Sequence, residues 1–161
     1  MSKNKNMPFI IFASTIFILW AFAMLIALSY PKEAKASEIT AENITHLVNN
    51  ERILRGLKPL KVHYRLRAAA ISKSQDMADN GYFAHKSPTG ADMWDMVGYR
   101  FGFHDLGQNL ARDYGSAEEV VAAWMNSPKH KENIVFSGFK TTGVGVVQNK
   151  NTILITQFFA D

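Results

Sequence analysis

The C-terminal segments TTGVGVVQ (141–148), NKN (149–151) and TILITQFFA (152–160) decide the fold, because together they have the form of a β-hairpin. Two runs rich in β-branched and aromatic residues flank a short polar turn, which is the pattern of paired antiparallel strands. Gly143 and Gly145 interrupt the first run, and glycine inside a strand marks a bulge or a close approach of another backbone. The hairpin therefore predicts an antiparallel sheet at the C-terminal end of the chain.

Two helices are predicted upstream of the hairpin. The first spans residues 40–55, where Thr40 supplies an N-cap and Gly56 ends the helix. The second spans residues 65–80, with apolar residues at helical spacing on one side and Gly81 as its stop. The residues between these helices are predicted to be a connector.

Three further elements are predicted between the second helix and the hairpin. A short helix falls near residues 91–99, and LGQNLAR (106–112) is a short strand. A helix then begins at Ser116, which forms an S-x-x-E capping box with Glu119, and it ends before Pro128. Because the helices precede the hairpin and do not alternate regularly with strands, the pattern favours an α+β layered domain over a doubly wound one.

The N-terminus carries an export signal. Lys3 and Lys5 precede residues 7–30, a run without any charged side chain. About 20 apolar residues cross a bilayer as a helix, whereas the core of a signal peptide has roughly 7–15. Two interpretations stay open, namely an uncleaved membrane anchor and a signal peptide removed after Ala36 of AKA. Both place the rest of the chain outside the cytoplasm, secreted or membrane-anchored, because the lysines hold the N-terminus inside.

This leader (1–36) precedes a folded domain predicted at residues 37–161. The formal net charge of the chain is +4, but most of it belongs to the leader, so the domain is almost neutral and does not suggest nucleic-acid binding. The basic stretch RILRGLK (52–58) is interpreted as the solvated end of the first helix. There is no cysteine, so packing alone must hold the domain together although export permits disulfides.

Several strings taken together resemble one family. They are LVNNERILRGLKPL (47–60), RLRAAAISKSQDMADNGYFAHKSPTG (65–90), GQNLA (107–111), VVAAWMNSPKHKENI (120–134), and the hairpin's TTGVGVV and TQFFAD. In this order they resemble the bacterial branch of the CAP family, which comprises cysteine-rich secretory, antigen 5 and pathogenesis-related proteins. The resemblance implies a three-layer α-β-α sandwich with a central antiparallel sheet. It also implies a polar cleft that in many members holds two histidines and two acidic residues, with a divalent metal in some.

The cleft implied by the resemblance is depleted in this chain. His85 matches the first cleft histidine, and His130 matches a histidine frequent in the bacterial branch. Gln108 stands where the family usually has glutamate. Ser127 and Leu154 stand where many eukaryotic members have the second glutamate and the second histidine. The candidate cleft residues are therefore His85, Gln108 and His130, and we expect them together on one side of the sheet.

Two imidazoles and an amide make a poor divalent-metal site, because zinc takes about four ligands from histidine, cysteine or carboxylate. His85 and His130 are therefore only weak candidates as metal ligands, and no cofactor is expected beyond weakly bound zinc. Catalytic residues are not identified. Ser87 and Ser127 each precede a proline, as turn residues do, and neither lies in a nucleophile motif. Asn109 and Trp124 also match frequent family positions. We expect Asn109 to hydrogen-bond loop backbone and Trp124 to pack in the core.

Two functional hypotheses remain open. The first is a binding or structural module at the cell envelope or outside the cell, whose unknown ligand is a lipid, a cell-wall fragment or a protein. If the leader is uncleaved, the membrane is a further partner through residues 7–30. The second is a histidine- or metal-dependent hydrolase that uses the same cleft, since histidine titrates near neutral pH. Whether the protein is an enzyme stays undecided at this point, with the balance towards binding.

Overall fold

The computed structural model describes residues 36–98, 102–149 and 151–161. The predicted leader segment at residues 7–30 lies outside these ranges. Within them, no helix has both the length and the apolar character needed to cross a bilayer. In chain order the elements are α1 (Ala41–Ile53), β1 (Lys61–Val62), α2 (Tyr64–Asp79), α3 (Met93–Val97), β2 (Leu106–Arg112), α4 (Ala117–Asn126), α5 (Pro128–Val135), β3 (Thr141–Gln148) and β4 (Ile153–Ala160).

The predicted hairpin forms the centre of a four-stranded sheet with the order β1-β3-β4-β2. Strand β4 pairs antiparallel with β3 on one side and with β2 on the other. The two residues of β1 pair in parallel with β3, in a segment that the sequence predicted to be a connector. A strand this short has no hydrophobic period, so the pattern did not reveal it. The central sheet is thus antiparallel, as expected, with one short parallel strand added at its edge.

Helices cover both faces of the sheet, which gives the expected α-β-α layering. On one face α2 and α3 pack against β4, where Leu66, Ala70 and Val97 surround Phe158 and Ala160. On the other face α1, α4 and α5 form a larger core with residues of all three long strands. The fully or almost fully buried members of this core include Ile44, Val48, Val120, Trp124, Ile134, Ile155 and Phe159. Successive side chains of β4 therefore point to opposite helical layers, as the pleat of a strand requires.

The two glycines of β3 lie directly under α2. A Cβ atom added to Gly143 would lie 2.1 Å from the backbone nitrogen of Arg67, and one added to Gly145 would lie 2.2 Å from the backbone carbon of Ala70. Any side chain at either position would therefore collide with the backbone of α2. Of the two interpretations that the sequence left open, close backbone approach is the correct one.

The helix ends follow the predicted caps with one difference. Thr40 accepts from the backbone N–H of Asn43, and Ser116 accepts from the backbone N–H of Glu119. The carboxylate of Glu119 does not close the predicted box on Ser116, because it accepts instead from the backbone N–H of Gly115. The contacts to Thr40 and Ser116 each satisfy one of the N–H groups that a helix start leaves without an intrahelical partner.

Pro128 was expected only to stop a helix, and it also starts one. It ends α4 and occupies the first turn of α5, which the sequence analysis missed. Proline suits this place because its fixed φ fits the helix and the first turn needs no N–H donor. His130, which follows α4, consequently lies in the first turn of α5.

Arg52 corrects the interpretation of the basic stretch 52–58 as solvated. Its side chain is 1% exposed. The guanidinium donates to the backbone carbonyls of Lys58, Ile134, Phe136 and Phe139 at 2.7–3.1 Å. This cation therefore joins the end of α1 to the segment between α5 and β3. Burial lowers the pKa of Arg52.

Candidate functional site

The candidate site is built around Gln108, in the middle of edge strand β2. Gln108 pairs in register with Phe158, so both side chains lie on the face of the sheet that α2 covers. Gln108 is 6% exposed. The strand thus holds an amide group in a nearly buried position, where each of its polar atoms needs a hydrogen-bond partner.

His85 supplies one partner. It follows α2 in an exposed loop, and its Nδ1 lies 2.8 Å from Oε1 of Gln108. An amide oxygen can only accept a hydrogen bond, so Nδ1 of His85 must be the donor. The neutral imidazole then carries its proton on Nδ1 and leaves Nε2 as an acceptor. Gln108 therefore orients the ring and fixes its tautomer.

The other end of the Gln108 amide has no partner. Its Nε2 is buried and makes no hydrogen bond to any of the described residues. A buried donor left unpaired costs about 1–3 kcal/mol, so proteins rarely leave one without a purpose. Gln108 also lines a cleft of about 350 Å³, whose other lining residues include His85, Asp92, Met93, Leu106 and Asn133. We call this space the histidine cleft.

His130 approaches the free edge of β2, and the expectation that its side chain shares one side of the sheet with His85 and Gln108 stays a prediction. It lies on α5, and its backbone carbonyl accepts from Nδ2 of Asn109, the neighbour of Gln108 that points to the other side of β2. Its side chain lines a second cleft along β2, of about 370 Å³, together with Phe83 and Ser127. The structure therefore joins His85 to Gln108 directly and places His130 beyond the free edge of the strand.

The two histidines nevertheless influence each other. Burial lowers the pKa of His130, and the positive charge that His85 can carry lowers it further. Like charges disfavour each other when they lie close together, so simultaneous protonation of the pair is opposed. The imidazoles of His85 and His130 are therefore coupled through their charge.

Ser127 and Leu154 stand where many eukaryotic members of the family have an acidic residue and a second histidine, and neither adds a charged or titratable side chain to the cleft. Leu154 is 2% exposed and packs with Met77 and Leu110 in the core. Ser127 occupies the junction of α4 and α5. The hydroxyl of Ser87 is engaged in its own turn, with Thr89 and the backbone N–H of Ala91. Across the described ranges, neither serine hydroxyl is hydrogen-bonded to an imidazole.

These residues do not fit a tight divalent-metal site. No cluster of three or more His, Cys, Asp or Glu side chains suited to a metal occurs in the described part of the chain. The ring nitrogen of His85 that faces Gln108 carries a proton, and the amide itself offers no negative charge. Zinc prefers four ligands with charge to offset its own, and the candidate residues supply two imidazoles and a neutral amide.

A buried cluster that the sequence analysis missed anchors the loop before His85. Lys73 of α2 is 0% exposed, and its ammonium donates to the hydroxyl of Tyr82 at 2.9 Å while lying 4.6 Å from the centre of the same ring. The hydroxyl of Tyr82 in turn donates to Asp76. Burial lowers the pKa of Lys73, while Asp76 raises it. Lys73 and Asp76 are three residues apart on α2, but nothing in the sequence indicated the burial of Lys73.

Side chains from α4 and α5 cover the free edge of β2. Nε1 of Trp124 donates to the carbonyl of Leu110 at 2.9 Å, and Nδ2 of Asn133 donates to the carbonyl of Gln108 at 3.2 Å. Asn133 also donates to Oδ1 of Asn109 at 2.8 Å. Trp124 is a core residue and Asn109 a tie for backbone, as the sequence predicted. These contacts hold the strand that carries Gln108 in a fixed position.

Comparison with known proteins agrees with this architecture. A sequence model of the cysteine-rich secretory protein family, CAP, matches residues 45–159. The uncharacterized protein YkwD of Bacillus subtilis is 40% identical over 122 residues, which are 75% of this chain and 46% of YkwD, so the chain spans less than half of that relative.

Two solved structures share the fold. An extracellular protein containing an SCP domain from Bacillus anthracis is 31% identical with a TM-score of 0.69, over 74% of this chain and 39% of that one. An outer surface protein from Borrelia burgdorferi is 20% identical with a TM-score of 0.70, over 74% and 90% of the two chains. The second likeness is one of fold alone.

Proposed function

Since the chain belongs to the cysteine-rich secretory protein (CAP) family, we propose that it is an exported binding domain whose ligand occupies the histidine cleft. The observation that carries the proposal is the buried Nε2 of Gln108, which has no acceptor among the described residues. Rotation of the amide towards the cleft, which Gln108 lines, lets a ligand oxygen accept from this N–H group and removes an unfavourable term that the free protein bears. Binding is therefore favoured for ligands that present an uncharged acceptor oxygen.

The lining of the cleft narrows the class of ligand. Met93 and Leu106 offer apolar contact, whereas Gln108 and the free Nε2 of His85 offer one donor and one acceptor. A fragment of the cell wall with amide and acetamido groups presents both carbonyl oxygens and N–H groups beside short carbon segments. Such a ligand matches the cleft better than a simple lipid tail, which offers no hydrogen bond.

The location of the protein supports a ligand of the envelope. The uncharged run at residues 7–30 after two lysines favours export. The similar protein from Bacillus anthracis is described as extracellular, and the one from Borrelia burgdorferi as an outer surface protein. We propose that the domain acts outside the cytoplasm, either secreted or held at the membrane by its N-terminal segment.

The test is a titration of the full-length chain, in neutral detergent, with a soluble N-acetylated disaccharide–peptide from the cell wall. Nuclear magnetic resonance of the side-chain amide of Gln108 gives the readout. We expect its N–H₂ signals to shift saturably, and we expect Gln108→Glu to weaken binding at least about tenfold, because a carboxylate replaces the donor. Gln148→Glu, at an exposed end of β3, is the matched control for charge. Unshifted Gln108 signals at saturating ligand would refute the proposal.

Hydrolysis at the same cleft is the second candidate, and one observation favours it. The hydrogen bond to Gln108 leaves Nε2 of His85 as a proton acceptor, and His85 is one of the residues that line the cleft. A base so oriented suits activation of water or a hydroxyl group. Prolonged incubation with the same fragment separates the two functions. New reducing ends or amines that disappear in His85→Gln would establish hydrolysis, and intact ligand would establish binding alone.

A further inference from the structure

A second pocket lies at the other edge of the sheet. It has a volume of about 550 Å³ and forms where the end of α1, the segment leading into β1 and the start of β3 meet. Its lining includes Arg52, Lys58, Lys61 and Lys140, and it shares no residue with the histidine cleft. We call it the basic pocket.

The charged side chains named above for the basic pocket are all positive. Three of its four described cations, the lysines, are exposed, and no acidic side chain of the described residues lines the space. Within the described ranges, the ion pairs of the protein involve other cations, such as Arg55 and Arg67, and none of these four. In a domain that is almost neutral as a whole, this concentration of unpaired positive charge is local to one concave site.

The buried guanidinium of Arg52 adds to the positive potential of the basic pocket. Its guanidinium is buried and is satisfied by neutral carbonyl groups only, so its charge is not cancelled by a carboxylate. Four of its five N–H groups are used, and the remaining one on Nη2 has no acceptor among the described residues. A charge in a poorly hydrated position acts over a longer distance than one at the surface, and concave walls focus its field.

We propose that the basic pocket binds an anionic oxygen group of the phosphate-ester class. The ammonium groups of Lys58, Lys61 and Lys140 supply the direct contacts, since lysine binds phosphate as a point charge. Leu57, Pro59 and Phe139 line the same pocket and offer an apolar wall for the carbon skeleton of the ester. The proposal is independent of the ligand of the histidine cleft, because it uses other residues on the opposite edge of the sheet.

Two sources carry this chemistry, a soluble phosphate ester and the headgroup of an anionic lipid. The test uses the full-length chain in neutral maltoside micelles and follows backbone amide shifts of residues 56–61 and 137–141. One arm titrates inorganic phosphate and glycerol phosphate. The other arm adds short-chain phosphatidylglycerol to the micelles, with short-chain phosphatidylcholine as the zwitterionic comparison. Saturable shifts with glycerol phosphate identify a soluble ester, and shifts only with phosphatidylglycerol identify a headgroup.

Two double variants distinguish a specific binding site from general electrostatic attraction to the protein. Lys58→Gln with Lys140→Gln removes two exposed charges of the pocket, whereas Lys129→Gln with Lys131→Gln removes two exposed charges of α5. We expect the first double variant to weaken binding at least about tenfold, which corresponds to about 1.4 kcal/mol, and the second to change it by less than about twofold. Absence of saturable shifts in both arms, or equal loss in the two double variants, would overturn the proposal.

Discussion

The sheet ends at β2 on one side and at β1 on the other, and side chains cover these two edges differently. At β2 the outward carbonyls accept from neutral donors, Trp124 and Asn133. At the β1 edge, carbonyls of the surrounding segments accept from a cation, Arg52. The neutral edge borders a cleft whose free donor is an amide, and the charged edge borders a pocket with unpaired lysines. The comparison indicates that two sites in one small sheet differ in the charge of the ligands that they favour.

The largest expected effect concerns the charged edge. Arg52→Met leaves four carbonyl acceptors without their donor, and we expect the free energy of unfolding to fall by about 3–5 kcal/mol. Urea denaturation followed by circular dichroism measures it. Arg55→Met is the control, because Arg55 forms an exposed ion pair with Glu51 and should contribute less than about 1 kcal/mol. Equal small effects in both variants would show that Arg52 does not hold this edge together.

An intermediate effect is expected at the neutral edge. Gln108→Glu places a carboxylate beside His85, and we expect zinc affinity to rise at least about tenfold, because the site gains the negative charge that it lacks. Isothermal titration calorimetry measures this change, with Gln148→Glu reporting the effect of the same charge far from the cleft. An unchanged affinity would show that position 108 does not contact the metal, and the contrast between the edges would then rest on Arg52 alone.

The smallest effect is a dependence of stability on pH at the neutral edge. The pKa of His130 is lowered in the folded protein, first by burial and then by the charge of His85. The unfolded chain therefore binds the proton more readily, so stability is full above the ordinary histidine pKa of about 6.5 and decreases as the pH falls below it.

Urea midpoints at pH 8 and at pH 5 measure this decrease, and His130→Asn should remove part of it. His46→Gln, at an exposed histidine of α1, serves as the control and should retain the wild-type decrease. If His130→Asn and the wild type lose the same stability between the two pH values, the imidazole of His130 is not the group responsible.

The sequence predicted the elements that have strong local signals. The hairpin, α1 and α2 were recognised because their periods and caps lie within each segment, as the bond from Asn43 N–H to Thr40 shows. The glycines at 143 and 145 indicated a bulge or the close approach of another backbone, without identifying α2 as the partner. What was missed lacks a local signal. Strand β1 has two residues, and Pro128 is compatible both with the end of one helix and with the start of the next.

The site was predicted less completely than the fold. His85 and Gln108 meet, whereas His130 is carried by the missed helix α5, whose backbone contacts Asn109 at the free edge of β2. The burial of Arg52 and Lys73 could not be predicted either, since arginine and lysine side chains are mostly exposed in folded proteins. Their burial depends on acceptors from other parts of the chain, the carbonyls beyond Ile134 for Arg52 and the hydroxyl of Tyr82 for Lys73.

The contact of α2 with Gly143 and Gly145 also has a consequence for the order of folding. The backbone of Arg67 meets that of Gly143, although the two residues belong to opposite halves of the domain's sequence. Contacts between distant parts of a chain form slowly, because the intervening loop loses entropy before the contact stabilises it. Helix α2 therefore has no surface to dock on until the C-terminal hairpin exists. During synthesis, this places the assembly of the His85 loop after the last strand has been made.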